Sequence, residues 1–144
     1  METASLIVNA QKEIVEEFLL FDNWEDKYSH IIDLGKQLPL LDQSLKIEDN
    51  KIKGCQSQVW LNSKLQNKKV YFESDSDSSI VKGLVSLLIR VYSGNSPDDI
   101  LNAELNFLNE IGMSQHLSPT RSNGLASTIK QIKMRALAYK ASLS

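Results

Sequence analysis

Gln56-Ser57-Gln58-Val59-Trp60-Leu61, running on to Leu65, and Val70-Tyr71-Phe72 are two β-rich runs separated by a polar segment around Asn67. In the first run polar and apolar side chains alternate, the period of a strand with one buried face. Two such runs this close together read as an antiparallel hairpin. Upstream the rhythm is different: Ile7, Ile14, Val15, Phe18, Leu19 and Phe21 recur at threes and fours, the spacing of a helix buried along one side. Asp22 or Asn23 is placed to cap a second helix through Trp24, Tyr28, Ile31, Ile32 and Leu34, ending near Gly35, and Pro39 forbids its continuation. Leu45 and Ile47 alternate with Lys46 and Glu48, followed by an Asp49–Asn50 turn, which predicts a third short strand.

Downstream of the hairpin the chain returns to helical spacing. The Ser/Asp run from Ser74 to Ser79 ends the second strand, and Ser76 or Asp77 is the candidate N-cap of a helix carrying Ile80, Val81, Leu84, Val85, Leu88 and Val91. Gly83 inside that helix costs about 1 kcal/mol relative to alanine, so it is expected where another backbone comes close. Ser96-Pro97-Asp98-Asp99 starts a further helix with proline at its first position. A short helical piece runs from Leu105 to Met113, with Gly112 at its end. Ser118-Pro119 opens the last helix, where Leu125, Ile129, Ile132, Ala136 and Tyr139 form the apolar stripe. The expected fold is α+β: a small three-stranded antiparallel sheet packed on one face by helices, in a single domain over residues 1–144.

The chain has 144 residues, 42% of them hydrophobic and 24% charged, enough for one core without staples. A net charge of −2 gives no basic field for nucleic acid. Lys53, Lys64, Lys68 and Lys69 cluster locally, but Glu48, Asp49, Asp75 and Asp77 surround them in sequence, as on a solvated face or a partner-docking rim. The longest apolar stretch, Leu84 to Ile89, is interrupted by Ser86 and too short for a membrane span. Glu2 stands where a secretory signal would carry basic residues. The single cysteine excludes an internal disulfide, and a reducing compartment, the cytoplasm, is expected.

That cysteine sits in Gly54-Cys55-Gln56-Ser57-Gln58-Val59-Trp60, at a loop-to-strand junction just after a glycine. Residue type alone leaves two readings open. A free cysteine commonly packs as a small inert hydrophobe. As a thiolate it is a nucleophile, and attack on a persulfide would leave the sulfane sulfur on Cys55.

The heptapeptide resembles the signature of the SufE family, sulfur acceptors for cysteine desulfurases. Trp24-Glu25-Asp26-Lys27-Tyr28 with Ile31-Ile32-Asp33-Leu34-Gly35 resembles the family's N-terminal block. Ser74-Asp75-Ser76-Asp77 with Ile80-Val81-Lys82-Gly83-Leu84 resembles its middle block, and Gln115 to Leu125 its C-terminal block. The blocks come in family order over about residues 12 to 140. Departures are mild: Ser127-Thr128 stands where a methionine is common, and Ser78-Ser79 replaces smaller residues.

The resemblance implies a SufE/IscU-like fold and a persulfide on Cys55, in a loop shaped by Gly54 and Gln56. It implies that this loop sits beside the one holding Asp75 and Asp77, and near Arg121. It further implies a SufS-type cysteine desulfurase as donor and a downstream sulfur acceptor or iron–sulfur scaffold as recipient. Pyridoxal phosphate belongs to the donor, and this chain is expected to carry no cofactor.

Among other residues, Asp77 reads first as a helix cap and also as a gate that steadies the cysteine loop, a site neighbour of Cys55 with Arg121, and Asp75 reads as a solvated turn residue. Arg121 could favour a thiolate or persulfide anion, or dock a partner carboxylate. His30 and His116, with one cysteine, give no ligand set for a structural metal. Two rival readings are a thiol hydrolase using Cys55 and His116, which would need a third orienting group, and an adaptor with a structural cysteine.

Overall fold

The computed structural model describes residues 3–53, 57–113 and 116–143. The hairpin is present: β1 (Val59–Gln66) pairs antiparallel with β2 (Lys69–Ser76), in register from Val59 opposite Ser76 to Gln66 opposite Lys69. The two turn residues both have positive φ, 54° at Asn67 and 64° at Lys68. That is the type I′ geometry whose twist matches the strands it joins. Val59 and Leu61 of β1 and Val70, Phe72 and Ser74 of β2 are buried on one face.

Among the described residues the sheet has two strands, not the three expected. Where the third was placed, the chain makes two 3-10 turns, Gln43–Leu45 and Glu48–Asn50. The Asp42 carboxylate accepts hydrogen bonds from the Ser44 amide and hydroxyl, each at 3.0 Å, and Asn50 Nδ2 donates to the Leu45 carbonyl at 2.8 Å. Such short-range bonds offer the backbone an alternative to a ladder. Here they outweigh the alternation of Leu45 and Ile47. Among the described residues its backbone joins the ladder at one isolated bridge, between Lys51 and Trp60, where the Ile52 amide donates to the Val59 carbonyl at 2.8 Å.

The helices are α1 (Thr3–Phe18), α2 (Trp24–Lys36), α3 (Ser79–Tyr92), α4 (Pro97–Asn102), α5 (Phe107–Glu110) and α6 (Pro119–Leu143). α1 buries Ile7, Ile14 and Phe18 but stops at Phe18, so Leu19, expected on the apolar side, is 70% exposed. Asn23 caps α2 by accepting from the Asp26 amide at 2.8 Å. α3 is apolar nearly all round and lies at the centre, packed on α2, β2, α1 and α6. Glu17 of α1 ties it to its neighbours, accepting from Arg90 of α3 at 3.0 Å and pairing with His30 of α2.

Gly83 explains how α2 and α3 come so close. A Cβ there would stand 2.0 Å from the Ile31 carbonyl oxygen, and one on Gly35 would stand 2.7 Å from the Gly83 nitrogen. The helices therefore cross backbone on backbone. α4 begins as the sequence predicts, with Ser96 capping the Asp99 amide and Pro97 in the first turn. α6 lays Leu125, Thr128, Ile132 and Ala136 against the rest of the molecule. Among the described residues no helix is long and apolar enough to cross a membrane.

Candidate functional site

Two long helices begin close together on one side of the molecule, and a pocket of about 310 Å3 lies between their first turns. α3 contributes Val81, Leu84 and Val85, and α6 contributes Arg121, Gly124, Leu125 and Thr128. Ser78, Ser118 and Ser57 complete the lining. Ser57 is the link to the sequence signature, because it stands two positions after Cys55.

Each helix start is capped by a serine. The Ser78 hydroxyl accepts from the Val81 amide at 3.4 Å, and the Ser118 hydroxyl from the Arg121 amide at 3.3 Å. The N-cap of α3 is therefore Ser78, and neither Asp77 nor Ser76 holds that position. Unpaired amides at a helix start carry partial positive charge, which favours anions nearby by about 0.3–1 kcal/mol each at an exposed site. The half-buried Arg121 adds a full positive charge to the same wall. Among the described residues no carboxylate pairs with its guanidinium. The floor is apolar and the rim cationic, which suits a small, soft anion.

Asp77, released from capping, does something else. Its Oδ1 accepts from the Gln58 amide at 2.9 Å, and its own amide donates to the Gln58 carbonyl at 3.2 Å. This two-bond clasp closes the open end of the hairpin, three residues from Cys55. Asp75 was expected to be a solvated turn residue, but it lies in β2 with its side chain only 13% exposed. Lys46 reaches it at 2.7 Å and Lys82 at 3.4 Å. Burial opposes its ionisation, but the hydrogen bonds from Lys46 and the Ser76 amide and the charges of both lysines hold its pKa below the ordinary value. Lys46 also lies 5.4 Å from the centre of the Trp60 ring. Asp75 thus pins the 3-10 segment to the outer face of the hairpin.

Gly54, Cys55 and Gln56 lie outside the described residues. Immediately after them the structure brings Ser57 to the Arg121 pocket and Gln58 to Asp77, whereas Asp75 faces the Lys46 side. His116 stacks on Trp24, ring centres 4.2 Å apart and planes 9° from parallel. Among the described residues no carboxylate pairs with its ring. Sequence reasoning missed Ser57, Ser78, Ser118 and Thr128 as pocket-lining groups. It had no signal for them: Ser78 and Ser118 at helix starts are read as caps, and nothing local marks Ser57 in its loop or Thr128 inside α6.

Three comparisons bear on this architecture. The SufE family, described as an Fe-S metabolism associated domain, matches residues 12–136. An uncharacterized SufE-like protein of Rhizobium meliloti (strain 1021) is 38% identical over 129 residues, covering 86% of this chain and 92% of the relative. An uncharacterized SufE-like protein of Rhizobium etli is 38% identical over 136 residues, covering 91% of this chain and 92% of the relative. The solution structure of a hypothetical protein from Thermus thermophilus shares the fold, with a TM-score of 0.75 at 18% identity, over 92% of this chain and 96% of that one.

Proposed function

Because this chain belongs to the SufE family, a domain associated with iron–sulfur metabolism, we propose that Cys55 is a sulfur acceptor. The donor is the persulfide of a SufS-type cysteine desulfurase, whose pyridoxal phosphate releases the sulfur from cysteine. The Cys55 thiolate attacks the terminal sulfane sulfur of that persulfide. A new S–S bond forms on Cys55, the old one breaks, and the donor cysteine leaves as a thiolate, with no net oxidation. A second exchange of the same kind passes the sulfur to a downstream acceptor or scaffold. In this scheme residues 1–144 act as one domain, in the cytoplasm, without a cofactor of their own.

The observation that carries the reading is the cation-rimmed pocket two residues from Cys55. An extended chain advances at most about 3.6 Å per residue, so chain connectivity alone ties the Cα of position 55 to within about 7 Å of the Ser57 Cα. A sulfur anion held there gains from Arg121 and from the starts of α3 and α6, and the apolar floor limits access of stray oxidants. Asp77 anchors the loop through Gln58, and Gly54 and Gln56 shape the tip that meets the donor. Asp75 is a loop-shaping residue at one remove, through Lys46.

Acceptance of the persulfide frees the donor for its next turnover. Addition of the chain to its cognate desulfurase with free cysteine is therefore expected to raise sulfide production in the presence of reductant, and Cys55→Ser to remove that increase. Equal stimulation by Cys55→Ser defeats the acceptor role.

A further inference from the structure

Several half-buried cations among the described residues are answered by an acid or a carbonyl oxygen, and Arg135, away from the pocket, is answered by a hydroxyl. Lys46 and Lys82 share Asp75, Arg90 meets Glu13 and Glu17, and Lys133 donates to the Ala103 carbonyl at 2.9 Å. Arg135, half-buried on α6, donates through one guanidinium nitrogen to the Ser63 hydroxyl at 3.3 Å. Among the described residues it meets no carboxylate or carbonyl oxygen. A guanidinium has five N–H donors in a planar fork, so one neutral acceptor leaves most of them unanswered. Burial works against the charged form and lowers its pKa from the ordinary value, with Tyr139 opposing. The surroundings are polar in a specific way: the Tyr139 hydroxyl lies 3.1 Å from the same Ser63 hydroxyl, so two O–H groups flank the cation where α6 crosses β1.

We propose that Arg135, with the hydroxyls of Ser63 and Tyr139, forms a carboxylate-binding site between β1 and α6, separate from the α3–α6 pocket. The planar two-oxygen anion matches the guanidinium fork, and each hydroxyl can turn its proton toward the same oxygens. Arg135 follows Arg121 by fourteen residues of one continuous helix, about 21 Å along the axis. The site therefore does not depend on the sulfur-acceptor reading and stands or falls without it.

The carboxylate comes either as a free small anion or as an acidic side chain on a partner protein. Two probes separate these sources: acetate, and a blocked Gly-Glu-Gly tripeptide. Each is titrated into the intact protein at constant ionic strength against chloride, with the Arg135 Nε–H resonance as the readout and that of Arg90, already paired, as the control. Saturable movement of Arg135 alone is expected, reduced roughly tenfold or more in affinity by Arg135→Lys, which keeps the charge but not the fork, and by Tyr139→Phe severalfold. Tripeptide binding at least tenfold tighter than acetate assigns the site to a protein partner; equal affinity assigns it to a free anion. If Arg135 moves no more than Arg90 with either probe, the site does not exist. The thermal unfolding midpoint of each variant confirms that it is folded.

Discussion

The Asp77 carboxylate shows how one side chain acts when its neighbour takes the expected job. With Ser78 as the cap, Asp77 is left to hold the Gln58 amide, and Asp77→Ala removes that acceptor. Because the bond is exposed, the loss of global stability is expected to be about 1 kcal/mol or less. Hydrogen exchange at the Gln58 amide is expected to rise well beyond the global change. Unchanged exchange there refutes the clasp.

Tyr92 offers a residue-level test of the core. Its hydroxyl is fully buried with no hydrogen-bond partner among the described residues, and burial pushes its pKa from 10.0 up to about 12. The folded value is raised, so the stability tied to the neutral phenol is complete below pH 10 and is lost as pH rises through about 12. The whole gap corresponds to about 3 kcal/mol. Tyr92→Phe is expected to leave stability at neutral pH unchanged or higher and to flatten the alkaline loss, measured by denaturant unfolding across that range. Asp75 behaves oppositely. Its folded pKa is depressed, so its contribution is present above the ordinary carboxylate value and fades as pH falls below it.

Among the elements, the α2–α3 crossing sets the tightest constraint. Alanine at position 83 improves helix propensity by about 1 kcal/mol, yet its Cβ would stand 2.0 Å from the Ile31 carbonyl. The clash dominates, and Gly83→Ala is expected to destabilise by more than about 2 kcal/mol in chemical denaturation. The hairpin turn predicts the reverse sign. Lys68 holds a left-handed conformation that disfavours a side chain, so Lys68→Gly is expected to raise stability, by up to about 1 kcal/mol after glycine's unfolded-state entropy is subtracted.

These elements also mark what the sequence could disclose. The hairpin, α3 and the start of α4 were legible because alternation, helical spacing and a Ser-Pro start each report on nearby residues alone. Gly83 was legible as a close approach, since nothing else justifies glycine in so apolar a helix. The third strand was not, because Leu45 and Ile47 carry the right period while Asp42 and Asn50 close turns around them. The cap of α3 was ambiguous for a similar reason, with Ser76, Asp77 and Ser78 all able to accept an amide. Nor could any local pattern disclose that Lys46 and Lys82, thirty-six positions apart, converge on Asp75.

At the scale of the whole molecule, α3 and α6 gather their starts, one arginine and an apolar floor beside the residues that follow the only cysteine in the chain. If that arrangement favours the sulfur anion, Arg121→Gln is expected to slow persulfide uptake severalfold while leaving the unfolding midpoint within a few degrees of the parent. The most direct test is the intact mass of the protein after incubation with the cognate desulfurase and cysteine. A gain of one sulfur, about 32 Da, removable by reductant and absent in Cys55→Ser, is the expected result. No adduct while the desulfurase is turning over, or an adduct that persists in Cys55→Ser, contradicts the account.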